Sequence, residues 1–337
     1  TRAYNDFQAW ETGQQGTGDL VGENRIEVGV AYKDGVFAPT AEIWIDDYTT
    51  DATHYVQLTV APGQRHNGTA GTGVIVDGGS MPLSIGHLFR VRDPYFRMEW
   101  LEIRNYPGDT ANGQPIYLDE VDAADNFFSH LIIHDYTSTG RGAFSVYESA
   151  TVRNTIIYNG DVGIRTYSSE AILVPTLTLE NVTVYKMTAD GVYHRAGTVV
   201  IKNTISVGNG GQDFDLDTGN AASGAPVLVD GSSGYNLYST VDASVHPGSN
   251  NQSPPASLDD LFDTITGGSE DLHLEASGHD ALNNGQDLSF SFTDDIDAET
   301  RPTGASSWDI GADEYMSILT TNYRSVGTNS GTLYSTG

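Results

Sequence analysis

The chain has 337 residues and a formal net charge of −29, from 45 acidic against 16 basic side chains, so its field repels phosphate backbones and anionic lipid and excludes nucleic acid as a partner. With no cysteine, disulfides and thiol chemistry are excluded; with no run of about 18 apolar residues, so is a membrane-spanning helix. Thirty-eight glycines and many Thr, Ser, Asn and Asp residues predict short strands joined by tight turns rather than long helices.

In chain order, the first element is a short amphipathic helix within Ala3 to Gln14, where Tyr4, Phe7 and Trp10 fall three apart and Gly13 offers a stop. It reads as a cap. Thr1 to Trp10 lack the basic and apolar segments of a secretion signal, which suits either a cytosolic chain or, as the preferred reading, a mature or excised piece of something larger. From Ile26 the texture changes to strands such as Glu42–Ile45 and Tyr55–Val60, each ended by Gly, Pro, Asp or Asn.

Two repeating rows then emerge. One runs through strands that begin at Trp100, His130, Asn154, Asn181, Asn203 and Asn236, spaced 30, 24, 27, 22 and 33 positions apart. Between them falls a second, Ile116–Asp119, Phe144–Tyr147, Ile164–Tyr167, Val192–Arg195 and Phe214–Asp217. A coil with two or three strands per turn predicts both rows, with unequal loops bulging outward. Asparagine recurs at one slot (Asn154, Asn181, Asn203, Asn236), where stacked amides would form a ladder or simply serve tight turns. A β-sandwich would need hairpins about 8 to 12 residues apart and explains less of the chain.

The C-terminal stretch contains Asp271-Leu272-His273-Leu274, Asp280, Asp294-Asp295-Ile296-Asp297 and Arg301-Pro302, and ends Trp308-Asp309-Ile310-Gly311-Ala312-Asp313-Glu314-Tyr315. This DIGAxE-type motif resembles the closing turn of right-handed parallel β-helix proteins of the pectate-lyase-like group, many of them secreted bacterial proteins. The opening, through Tyr4, Phe7, Ala9, Trp10 and Gly18-Asp19-Leu20, resembles their N-terminal cap. One departure stands out: the group's usual Ser-Pro and Asp-Gly pair is replaced by Ser277-Gly278 and Ile296-Asp297-Ala298. The resemblance implies an all-β fold, a right-handed parallel β-helix (solenoid) with a short N-terminal capping helix. It implies one domain over 1–315, with a cap at 1–25 and closing turns at 265–315, followed by a polar linker or the start of a further module at 316–337. An extracellular or cell-surface location follows from it, and capped ends predict a monomer. The group includes lyases, hydrolases, epimerases, adhesins and phage proteins, so membership leaves the chemistry open.

In the second row, alternation sends Ile116, Phe144, Ile164, Val192 and Phe214 to the core. Outward columns then carry Tyr117, Ser145, Arg165, Tyr193 and Asp215, and beside them Asp119, Tyr147, Tyr167, Arg195 and Asp217. Such a face suits a polysaccharide or cell-surface glycan, with Tyr117, Asp119, Tyr147, Tyr167 and Tyr193 as binding residues and Arg165 and Arg195 for uronic acids. It equally suits a solvated β-face with charges paired across rungs. For a lyase or glycoside hydrolase in the same groove, the candidate catalytic residues are Asp215, Asp217, Arg195 and Arg165, the two aspartates lying i, i+2 on one face. Asp213, Asp215 and Asp217 offer hard oxygens for Ca²⁺. His194 should point inward, between Thr166 and Leu216, as a hydrogen-bonded core histidine.

Overall fold

The computed structural model describes residues 3–14, 18–84, 86–108, 113–119, 125–166, 175–195, 197–216, 227–241, 245–304 and 307–316. Apart from one antiparallel hairpin, its ladders are parallel, and they form two sheets of thirteen and seven strands. The seven-stranded front sheet stacks Ile43–Ile45, His87–Val91, Gln114–Leu118, Gly142–Val146, Val162–Thr166, Val192–Tyr193 and Phe214–Asp215. Each turn of chain adds one strand here and two to the long sheet, an arrangement compatible with a β-helix or other solenoid.

The front register follows the expected row: Ile116, Phe144, Ile164, Val192 and Phe214 are successive partners, and all are fully buried. Burial of each large apolar side chain contributes about 1.5–3 kcal/mol, and the alternation leaves the intervening residues outside. The column continues below Tyr117 through Arg90 and Trp44.

In the long sheet the chain bends once between its two rows, and the bend residue is left-handed: Trp100, His130, Asn154, Asn181 and Asn203 have φ of 67°, 52°, 42°, 55° and 50°. Asparagine takes this conformation more readily than most side chains, which accounts for its recurrence. The expected ladder is partial. Asn203 donates to Asn181 at 3.3 Å, while Asn236 is displaced by one position, because Tyr235 occupies the left-handed slot and Leu237 pairs with Ile205. Asn236 instead accepts from the Thr204 amide and donates to the Ile201 and Pro247 carbonyls.

Helix Phe7–Gln14 packs over the first turn, with Phe7 and Trp10 buried and the Trp10 indole ring lying against Gly29, where a Cβ would come within 2.8 Å of it. Residues 258–304 and 307–315 take a place the sequence did not indicate. Instead of adding closing turns to the end of the stack, they run back along its flank as a strap. Asp271 accepts from Thr69, Glu270 from Asn159, the Asp294 carbonyl from Asn154, the Gly311 carbonyl from Asn181 and the Gln286 carbonyl from Asn203. The bend amides thus bind the strap more than they bind one another. Arg301, fully buried, holds the strap's end: it donates to Glu314 at 2.8 Å and to the carbonyls of Asp294, Gly311 and Ala312 at 3.2, 3.1 and 2.8 Å. Among the described residues no helix is long and apolar enough to cross a membrane.

Candidate functional site on the front sheet

The outward column of the front sheet reads Trp44, Arg90, Tyr117, Ser145, Arg165, Tyr193 and Asp215, in register from strand to strand. Six steps of about 4.8 Å give it a length of roughly 29 Å. Ser145 is buried and the others are half-buried, so the face is partly covered by its own side chains.

The column's two halves differ. In the lower half Arg90 is ion-paired with Asp119 and lies 4.5 Å from the Trp44 ring centre, and Arg92 pairs with Asp46 at 2.9 Å. Tyr117 is stacked on His87 at 4.0 Å and meets the edge of Tyr147 at 5.5 Å. Burial raises the Tyr117 phenol above its usual range, and the nearby Asp119 carboxylate adds to this, so it stays a neutral hydroxyl.

In the upper half the Arg165 and Arg195 guanidinium groups lie 5.2 and 5.1 Å from the Tyr193 ring centre, with the Asp215 carboxylate in the same field. Burial raises the Tyr193 phenol while both arginines pull it back. A planar guanidinium matches a carboxylate or sulfate with two parallel N–H donors, and two of them around one ring make a site for an anion bearing an apolar face.

The remaining candidates divide. Tyr167 and Asp217 lie outside the described residues. Asp213 does not join Asp215 in an outward cation site: it is 1% exposed, and its carboxylate accepts from Asn209, from the Ser239 amide and hydroxyl and from the Thr240 amide. Asp213 precedes the strand Phe214–Asp215, so the alternation that turns Asp215 outward does not extend to it, and its buried carboxylate fastens the next turn. His194 is the core histidine expected, fully buried, with Nδ1 2.7 Å from the Thr166 hydroxyl and Nε2 3.1 Å from the Gly197 carbonyl oxygen.

Two features escaped the sequence reading. Asp295, Asp297 and Asp313 of the strap bring three carboxylate oxygens within 4.8 Å of one another, close enough to share a cation. Asp295, however, already accepts from the Asp297, Glu299 and Glu314 amides and Asp313 from the Leu274 amide, while His273 stands 3.9 Å from Asp297. Burial alone would lower His273, but its hydrogen bond to Asp271 and the surrounding aspartates carry it up to about 9, so an imidazolium neutralises part of this charge. The second feature is Glu42, beside His87 at the lower end of the front sheet. Only the paired register brings these two positions, 45 apart in sequence, together.

A hollow of about 600 Å³ lies under the N-terminal cap, lined by residues including Tyr4, Phe7, Tyr32 and Phe37, and none of the candidate residues borders it. Compared with known proteins, the chain matches no family model, no curated protein and no solved structure.

Proposed function

We propose that this chain is a right-handed parallel β-helix module of a secreted or cell-surface protein, and that its front sheet binds an acidic polysaccharide laid along the stack. The observation that carries the proposal is the placement of Arg165 and Arg195 around Tyr193 in a chain whose formal charge is −29. A global field this negative disfavours any polyanion, so an anion must be captured by short-range, bidentate contacts. Tyr193, Tyr147 and Tyr117 supply rings for the apolar faces of sugars. Asp215, in the same field, accepts from sugar hydroxyls.

Titration calorimetry with polygalacturonate tests this. Replacing both Arg165 and Arg195 with alanine should weaken binding by about a hundredfold, from the loss of two charge-assisted contacts, and added salt should weaken the parent's binding. Binding untouched by either change would overturn the proposal.

A further inference from the structure

At the lower end of the front sheet a chain of buried polar groups leads outward. The Ser145 hydroxyl donates to Gln114 Oε1 at 3.1 Å, and Gln114 Nε2 faces His87 Nδ1 at 3.0 Å. All three residues are at least nine-tenths buried. Because an amide N–H donates to Nδ1, the ring's own proton sits on Nε2. Burial, reinforced by Arg90, depresses His87 to about 4, so the ring is neutral near pH 7.

Nε2 lies 4.0 Å from Glu42 Oε1, beyond hydrogen-bond reach. That carboxylate oxygen is buried with no hydrogen-bond partner, although the Trp44 side chain bonds the same carboxyl group. Oε1 is closed to a water-sized group as it stands, but the Glu42 side chain keeps 15% of its surface exposed, and a turn of the carboxyl that opens Oε1 lets one oxygen about 2.8 Å from both atoms bridge them. The charges around this position select its occupant. Glu42 and Asp119 repel an anion, whereas His87 Nε2–H and Arg90 repel a cation. A hydroxyl group donates to Glu42 and accepts from His87, which satisfies both.

Resting on the carbohydrate reading above, we propose that Glu42 and His87 form a second subsite that holds a neutral sugar hydroxyl of the same polysaccharide chain. The stacking of His87 on Tyr117 fixes the imidazole in advance, so little order is lost on binding. Five strand steps, about 24 Å, separate the Trp44 strand from the Tyr193 strand, so one linear chain along the stack reaches both subsites. The favoured ligand is therefore a heteropolysaccharide, with a neutral sugar over Glu42 and His87 and an acidic one over Arg165 and Arg195.

Long-range ¹H–¹⁵N spectra of the whole protein with labelled histidine test the subsite, using xylohexaose as the neutral probe and hexagalacturonate as the acidic one. At about pH 7 His87 should show a neutral ring protonated on Nε2, and its signals should move on adding xylohexaose. Glu42→Leu should weaken that response by about tenfold, and His87→Phe, which keeps a ring on Tyr117 but removes the reporter, should weaken xylohexaose binding by about as much in titration calorimetry. Unchanged thermal unfolding certifies that each variant folds. An Nδ1–H or protonated ring, or signals that move more with acetate or ethylammonium than with xylohexaose, would overturn the subsite. So would silence toward xylohexaose while hexagalacturonate still binds through Arg165 and Arg195; that outcome leaves the acidic site standing. Loss of hexagalacturonate binding with the xylohexaose response intact supports the subsite and sinks the acidic reading instead.

Discussion

Replacing Arg301 with methionine should loosen the end of the strap, and with it the bonds that its Gly311 and Ala312 amides make to the stack. Arg301 is fully buried, and its guanidinium donates to one carboxylate and three carbonyls at 3.2 Å or less. Methionine fills the volume of the stem but donates nothing, which leaves Glu314 as a buried charge without its cation. Removing one member of a buried ion pair costs about 3–5 kcal/mol, and stranded carbonyls add about 1 kcal/mol or more if the segment cannot relax. A total near 4–6 kcal/mol is a large share of a domain's usual stability of about 5–15 kcal/mol. Burial and Asp309 push Glu314 up to about 7 despite Arg301, so the measurement belongs near pH 8, where that carboxylate is ionised. Amide hydrogen exchange reads the effect locally. Gly311 and Ala312, whose N–H groups bond Asn203 and Thr183, should lose protection by about a thousandfold, and Phe144 in the middle of the stack should change far less. Pairing the change with Glu314→Leu should recover at least half of the loss, because no buried charge is then stranded. A loss under about 1 kcal/mol in the single variant would refute the claim that this ion pair fastens the strap.

Three further outcomes are expected. Phe144→Ala should destabilise the fold by about 3–5 kcal/mol in urea unfolding, since Phe144 is fully buried between Ile116 and Ile164. Asn203→Ala removes donors to Asn181 and the Gln286 carbonyl and the acceptor of the Gln286 amide, at a bend with φ of 50°. It should cost about 2–4 kcal/mol and expose the strap to limited proteolysis, and a protease-resistant variant would contradict this. Burial depresses His66 and His194 to about 4, below their value near 6.5 in the unfolded chain. The unfolded state therefore binds more protons between those values, so stability is full above about pH 6.5 and falls as pH drops toward 4, by up to about 3 kcal/mol per histidine. Ring ¹⁵N signals of His66 and His194 that protonate near pH 6.5 in the folded protein would show that these rings are not buried neutral.

The strand rows were legible because alternation and an irregular but shared spacing both report on one apolar interior. Ile116, Phe144, Ile164, Val192 and Phe214 could be aligned without coordinates, and the outward tyrosines and arginines followed from parity. The same logic failed by one residue at Asn236, where Tyr235 takes the left-handed bend: residue type prefers a slot but does not compel it. It also placed Asp213 in a shared cation set with two outward neighbours, although that carboxylate is taken up by Asn209 of its own turn and by Ser239 and Thr240 of the next.

The sequence alone thus determined the periodic part of the protein: short parallel strands, a capping helix, the buried column and the charged aromatic face beside it. Tertiary structure decided what has no period. The course of the strap depends on which bend amides lack partners along the flank, and the meeting of Glu42 with His87 depends on the length of the loops between their strands. Local pattern records which side of a strand is apolar. It holds no record of which distant polar group will lie within hydrogen-bond reach, because that distance is set by the packing of the whole stack.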